Sequence, residues 1–296
     1  MTFRPLPGPA AQILVPSAFT TLVLGGLLAW LAATSAVGPA TFVLLLLASA
    51  ALVLGVILLL YAFVFRSLAY QLDRNGLQIR AGGWRITVPM ESIGGIYAMP
   101  QDILGTGFRG LRFPGHNVGR ERSLDGLTFV SVATAPPEQC LYVRAGSRVY
   151  AISPEEPDSF RRTYEMERAL GPLRPLAHAL DLPPLLRSLF WRDRLGRTLT
   201  AVAVLGVLVL LGLAFWRYPS LPEQIPMHFG VTAEPDRLAP PRDIFYLPIV
   251  GMLVLVVNSL LGAWAYGRER VLSYFLWSGA VVVQAVLILA LRTVTS

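Results

Sequence analysis

The chain has 296 residues, 54% hydrophobic and only 15% charged, well under the ~25% of soluble domains, which excludes a purely soluble protein. All 25 basic residues are arginine, so mechanisms built on a lysine (a Schiff base, a phosphate-loop lysine, a kinase-type lysine) are excluded. The net charge of +7 does not call for nucleic acid, because much of it flanks apolar segments, and the single Cys140 allows no internal disulfide.

From Pro5 to Phe65 no side chain is charged. Two spans fit there, 13–33 and 41–65, each near the ~20 apolar residues that cross a bilayer. The first apolar run is longer than a signal-peptide core and only Arg4 precedes it, so it reads as a retained span. Three more spans follow at 198–216, 244–267 and 271–291. Trp30, Trp216, Tyr218, Tyr246 and Tyr266 lie near span ends, as interfacial aromatics do. The spans hold no Asp, Glu, Arg or His, which counts against an ion-coupled transporter. Asn258 and Gln284 are expected to bond across helices.

Arginines near the membrane set an expected orientation. Arg4, Arg66, Arg187, Arg192, Arg194, Arg197, Arg268 and Arg270 share one side; Arg217, Arg237, Arg242 and Arg292 share the other. The richer side is expected to be cytoplasmic. The N-terminus and segment 66–197 are then inside, and the 217–243 loop and the C-terminus outside.

Between the second and third spans the pattern turns to short β-rich runs: Leu68–Leu72, Leu77–Ala81, Trp84–Met90, Ile93–Met99, Leu127–Thr134, Gln139–Ala145 and Arg148–Ser153. Asn75-Gly76 is a hairpin-closing pair. Ser153-Pro154-Glu155-Glu156 then reads as a helix start, with Ser153 as cap, and Gly171-Pro172 as its end. The expected domain is antiparallel, of about seven strands and one C-terminal helix, over 66–170. "YQLDRNGLQIRAGGWRITVPMESI" and "VYAISPEEPDSF" resemble the PH-like domain of bacterial membrane proteins, through Gly76, Leu77, Ile79, Pro89, Ile93, Tyr150, Ile152, Ser153, Pro154, Pro157 and Phe160. In eukaryotic relatives a basic cluster in the first hairpin grips inositol phosphates. Here that turn is Asp73-Arg74-Asn75-Gly76, which lacks one.

"GTGFRGLRFPGHNVGRER", 105–122, reads as a long glycine-rich loop. Its G-x-G-x-x-G match lacks a following helix, so it does not read as a nucleotide site. Arg109, Arg112, Arg120 and Arg122 make it a candidate to dock on anionic lipid or an acidic partner. Residues 171–197 read as a proline-rich link, with 185–197 lying at the membrane surface.

The loop between the third and fourth spans carries "LPEQIPMHF". A lone His228 with Glu223, Glu234, Asp236 and Asp243 lacks zinc-ligand spacing, and neither Ser220 nor Thr232 is a nucleophile by more than type. No metal, catalytic residue or cofactor is expected. Leu221, Pro222, Ile225, Pro226, His228, Phe229, Pro235 and Asp236, followed by Pro248, resemble a domain of unknown function found in bacterial membrane proteins, among them the immunity protein against the sporulation-delaying toxin. Gly230 and Ala233 depart from its pattern.

The resemblances imply a multi-pass protein of the bacterial cytoplasmic membrane with a non-enzymatic sensing, immunity or scaffolding role. Pro222, Ile225, Pro226, His228, Phe229 and Asp236 are the candidate contacts for a peptide, lipid or envelope partner, and the PH-like domain a tether. Membrane lipids, a protein or peptide partner and a homo-oligomer are compatible with this reading. A small transporter or complex subunit, and a membrane enzyme or metal site using His228, stand as alternatives.

Overall fold

The computed structural model describes residues 1–98, 106–113, 116–122, 126–181, 193–229 and 235–295. Gly105, most of the surface segment expected at 185–197, Gly230, Thr232, Ala233 and Glu234 lie outside these. The chain forms two compact units, residues 1–23 with 52–183, and residues 24–51 with 184–296. The five expected spans are five helices: α1 (Ala10–Thr34), α2 (Pro39–Arg66), α4 (Arg194–Arg217), α5 (Tyr246–Ala265) and α6 (Arg270–Thr295), all long and apolar enough to cross a bilayer. Their outer faces carry bare apolar side chains such as Phe19, Leu60, Leu260 and Phe275, as lipid requires and water does not.

In the first unit one sheet has the order β1-β2-β3-β4-β11, from β1 (Thr2–Phe3), β2 (Ala69–Asp73), β3 (Gly76–Ala81), β4 (Trp84–Pro89) and β11 (Ala179–Asp181). The other has the order β5-β9-β10-β8-β7-β6, from β5 (Ile93–Tyr97), β6 (Thr106–Phe113), β7 (His116–Arg122), β8 (Thr128–Ala133), β9 (Leu141–Ala145) and β10 (Arg148–Ile152). Helix α3 (Pro157–Leu170) follows. Alternate residues of both sheets, among them Tyr70, Leu77, Ile79, Val143 and Ile152, bury completely or nearly so in one core with Phe160 of α3; each such apolar side chain contributes roughly 1.5–3 kcal/mol. Gly76 sits at φ 153, and a Cβ there would fall 2.1 Å from the Val88 carbonyl oxygen, so the β2–β3 turn admits only glycine.

Four expectations are corrected. First, 106–113 and 116–122 are not a loop but a paired hairpin, Arg109 opposite Arg120 and Phe113 opposite His116, so nine strands rather than about seven lie between α2 and α3 among the described residues. Second, the sheets are not wholly antiparallel: β10 turns back on β9 and slots beside β8 in parallel, Tyr150 opposite Val130. Third, α3 starts at Pro157, not after Ser153. The Ser153 hydroxyl is buried and accepts from the Thr134 amide at 2.8 Å, so it is not free to cap. The end at Gly171, φ 72, is as expected. Fourth, the two ends of the sheet come from segments taken as flanks. Thr2 pairs with Gln71 and Phe3 packs edge-on against Phe160 at 5.0 Å, while β11, inside the supposed link, pairs with β4.

In the second unit α4, α5 and α6 pack as a bundle. Trp277 of α6 is wedged between Gly196 of α4 and Gly262 of α5, where a Cβ would meet the indole at 2.5 and 2.3 Å. Gln284 bonds across helices as expected, its amide donating to the Gly251 carbonyl at 2.8 Å. Small residues and interhelical bonds replace the hydrophobic effect as glue in lipid. At the helix ends Arg268 stacks its guanidinium 4.2 Å from the Trp264 ring centroid, a pairing suited to the interface.

Candidate functional site

The first candidate is the segment after α4. Two prolines stiffen it: Pro222 is exposed ahead of β12 (Ile225–Phe229) and Pro226 lies within that strand, which pairs with β13 (Pro235–Ala239). Opposite residues share a face. Ile225 and Ala239 oppose each other and are both buried, Ile225 fully, among Leu210 and Ala214 of α4, Ile244, and Leu291 of α6. Pro226 and Leu238 form the next pair; Pro226 is half-buried and Leu238 is 57% exposed. One face therefore anchors the hairpin in the bundle and the other presents apolar surface. His228 lies opposite Arg237 and Phe229 opposite Pro235, with register breaks on either side of His228. Asp236 is in β13 between them. Glu223 is exposed ahead of the strand, and Asp243 lies 4.0 Å from Arg242. Among the described residues no three of His, Cys, Asp and Glu gather closely enough to hold a metal.

The arginine segment yields a second, different site. Arg109 and Arg112 are in β6, while Arg120 and Arg122 are in β7. Register carries Arg120 beside Val130 and, beyond it, Tyr150; Arg122 lies beside Thr128 and, beyond it, Arg148. Arg120, Thr128, Val130, Arg148 and Tyr150 line a cavity of about 190 Å³ with Ile86 of β4, Leu180 of β11 and His178 just before β11.

His178 reaches this cavity because the link is pinned twice. The Asn75 side-chain oxygen accepts from the amides of Leu173 and Arg174 at 3.1 and 2.9 Å, and β11 then pairs with β4. Arg148 Nη1 lies 3.5 Å from His178 Nδ1, and His178 Nε2 lies 2.6 Å from the Tyr150 hydroxyl. Arginine has no acceptor, so Nδ1 accepts and the neutral ring donates from Nε2 to Tyr150. Burial, then the nearby Arg148 charge, lower the His178 pKa and favour that neutral ring; burial raises the Tyr150 pKa and keeps its proton on. Sequence reasoning singled out Arg120 but missed His178, Arg148 and Thr128, which only non-local pairing brings to it.

Compared with known proteins, residues 68–168 match the bacterial PH domain and residues 205–252 match a domain of unknown function, DUF1648. Neither a curated protein nor a solved structure matches the chain. The β2–α3 region is the first match; α4 from Leu205 onward, the hairpin and the start of α5 are the second. The chain is a membrane protein that joins a region similar to the bacterial PH domain to one similar to DUF1648.

Proposed function

We propose that the protein is a non-enzymatic multi-pass protein of the bacterial cytoplasmic membrane with a sensing, immunity or scaffolding role. Its β12–β13 hairpin engages a peptide, lipid or envelope partner outside the cell, and its PH-like domain, residues 66–170, acts as a tether within. The observation that supports this is the two-faced hairpin: Ile225 is sunk in the bundle while its neighbours Pro226 and Leu238 face away from it. A rigid strand pair with an exposed apolar face binds at low entropic cost. The arginine distribution supports the orientation.

Photo-crosslinking in intact membranes tests the reading, with a photoreactive residue placed at Leu238 or, as control, at Ile225. A discrete adduct from position 238 alone, lost when Pro222 and Pro226 are replaced by alanine, is expected. The reading fails if position 238 gives nothing that position 225 does not.

A further inference from the structure

We propose that the cavity lined by Arg120, Thr128, Arg148, Tyr150 and His178 binds a phosphate group, carried by a soluble phosphate ester or by a lipid head group. This site is separate from the hairpin and does not depend on its role. Two arginines line it and, among the described residues, no carboxylate does. Among the described residues neither Arg120 nor Arg148 has a carboxylate within salt-bridge distance. Guanidinium forks match phosphate oxygens in shape and charge.

The buried Tyr150 sharpens the point. Its ring is 1% exposed. Its oxygen lies 2.6 Å from His178 Nε2, and with the ring in the neutral form that donates there, the hydroxyl proton is left to point at an anion oxygen in the cavity. Thr128 offers a further hydroxyl on the same wall. These donors come from several directions, which suits a tetrahedral oxyanion better than a planar carboxylate that one fork would satisfy. At about 190 Å³ the cavity is smaller than the ~300–1,000 Å³ of sites that enclose whole ligands. It therefore receives a head group and leaves the remainder outside.

The test titrates the full-length protein in neutral detergent with inorganic phosphate and, separately, with short-chain phosphatidic acid, read by calorimetry. At least one should bind. Arg120→Gln and Arg148→Gln should each weaken it by roughly tenfold or more, whereas Arg144→Gln, in β9 outside the cavity, should not. Similar affinities assign a soluble phosphate; a preference of roughly tenfold for the lipid assigns a head group. Both sustain the site. Arg148→Lys keeps the charge but loses the fork, and an intermediate loss there keeps the test valid should a glutamine variant misfold. Binding of neither probe, or wild-type affinity in the arginine variants, overturns the proposal.

Discussion

The side-chain amide of Gln284 donates to the carbonyl oxygen of Gly251 at 2.8 Å, tying α6 to α5 in the middle of an otherwise apolar bundle. Such bonds within a membrane average about 0.6 kcal/mol. Gln284→Leu is therefore expected to lower stability only slightly in mixed-micelle unfolding. Gly251→Leu should cost far more, because a whole leucine side chain would have to enter the buried space that Gly251 leaves against Gln284 and Leu287.

The Trp277 wedge predicts a coupled pair. Gly262→Ala should destabilise the bundle by about 1–3 kcal/mol through overpacking. Trp277→Phe, a smaller ring, should recover part of that loss in the double variant. A double-mutant cycle in mixed micelles measures the coupling; strictly additive effects would contradict the packing described.

Ser153 holds the first unit together where its two sheets meet the N-terminal segment. Its hydroxyl accepts from the Thr134 amide at 2.8 Å, and its own amide donates to the Tyr70 hydroxyl at 3.2 Å. Tyr70 in turn donates to the Val132 carbonyl at 2.8 Å. Ser153→Ala strands a buried amide and should cost about 1–3 kcal/mol. Tyr70→Phe should cost a similar amount, and near-ultraviolet circular dichroism during chemical unfolding checks both.

Cys140 is buried, and burial together with the nearby Glu138 charge pushes its thiol up to about 12. The thiolate is the reactive form. The native protein should resist maleimide at neutral pH and label fully once unfolded in denaturant. Rapid native labelling would show that the first unit opens readily.

Anion binding should depend on pH in a definite direction. Unliganded His178 has a lowered pKa, below the ordinary value near 6.5. Among the described residues, Arg120, Arg148 and Tyr150 are the titratable groups lining the cavity around it. A bound anion favours the protonated ring and raises that pKa, so binding takes up a proton and tightens as pH falls through the histidine range. Sulfate, whose charge is constant there, is the suitable probe. Its affinity should rise from about pH 8 to about pH 5.5 and stay flat in His178→Gln.

Most of the architecture was legible because it rests on local pattern. Uncharged runs mark the five helices, Asn75-Gly76 the hairpin, and Gly171 the end of α3. The β6–β7 hairpin was not legible: glycine and arginine interrupt its alternation, and a register shift between Thr106 and Arg109 breaks the period. Strands β1 and β11 hold two and three residues, too few for any periodicity, and exist only through partners far along the chain. The phosphate cavity shares that origin. Arg120, Arg148 and His178 are unremarkable alone and converge through three separate pairings. In the hairpin the sequence marked Pro222, Pro226 and Ile225 together, yet their alternation places Ile225 inward and leaves Leu238, never singled out, on the open face.

Strand β1 also constrains the order in which the protein can be made. Thr2 and Phe3 leave the ribosome before α1 and α2, and their partner, Gln71 with Tyr70, follows only after both helices. The strand must therefore wait, unpaired, while both helices enter the bilayer. Only a helical pair that returns the chain to the side where it started lets the strand dock, so completion of the first sheet reports that the first two helices have been inserted correctly.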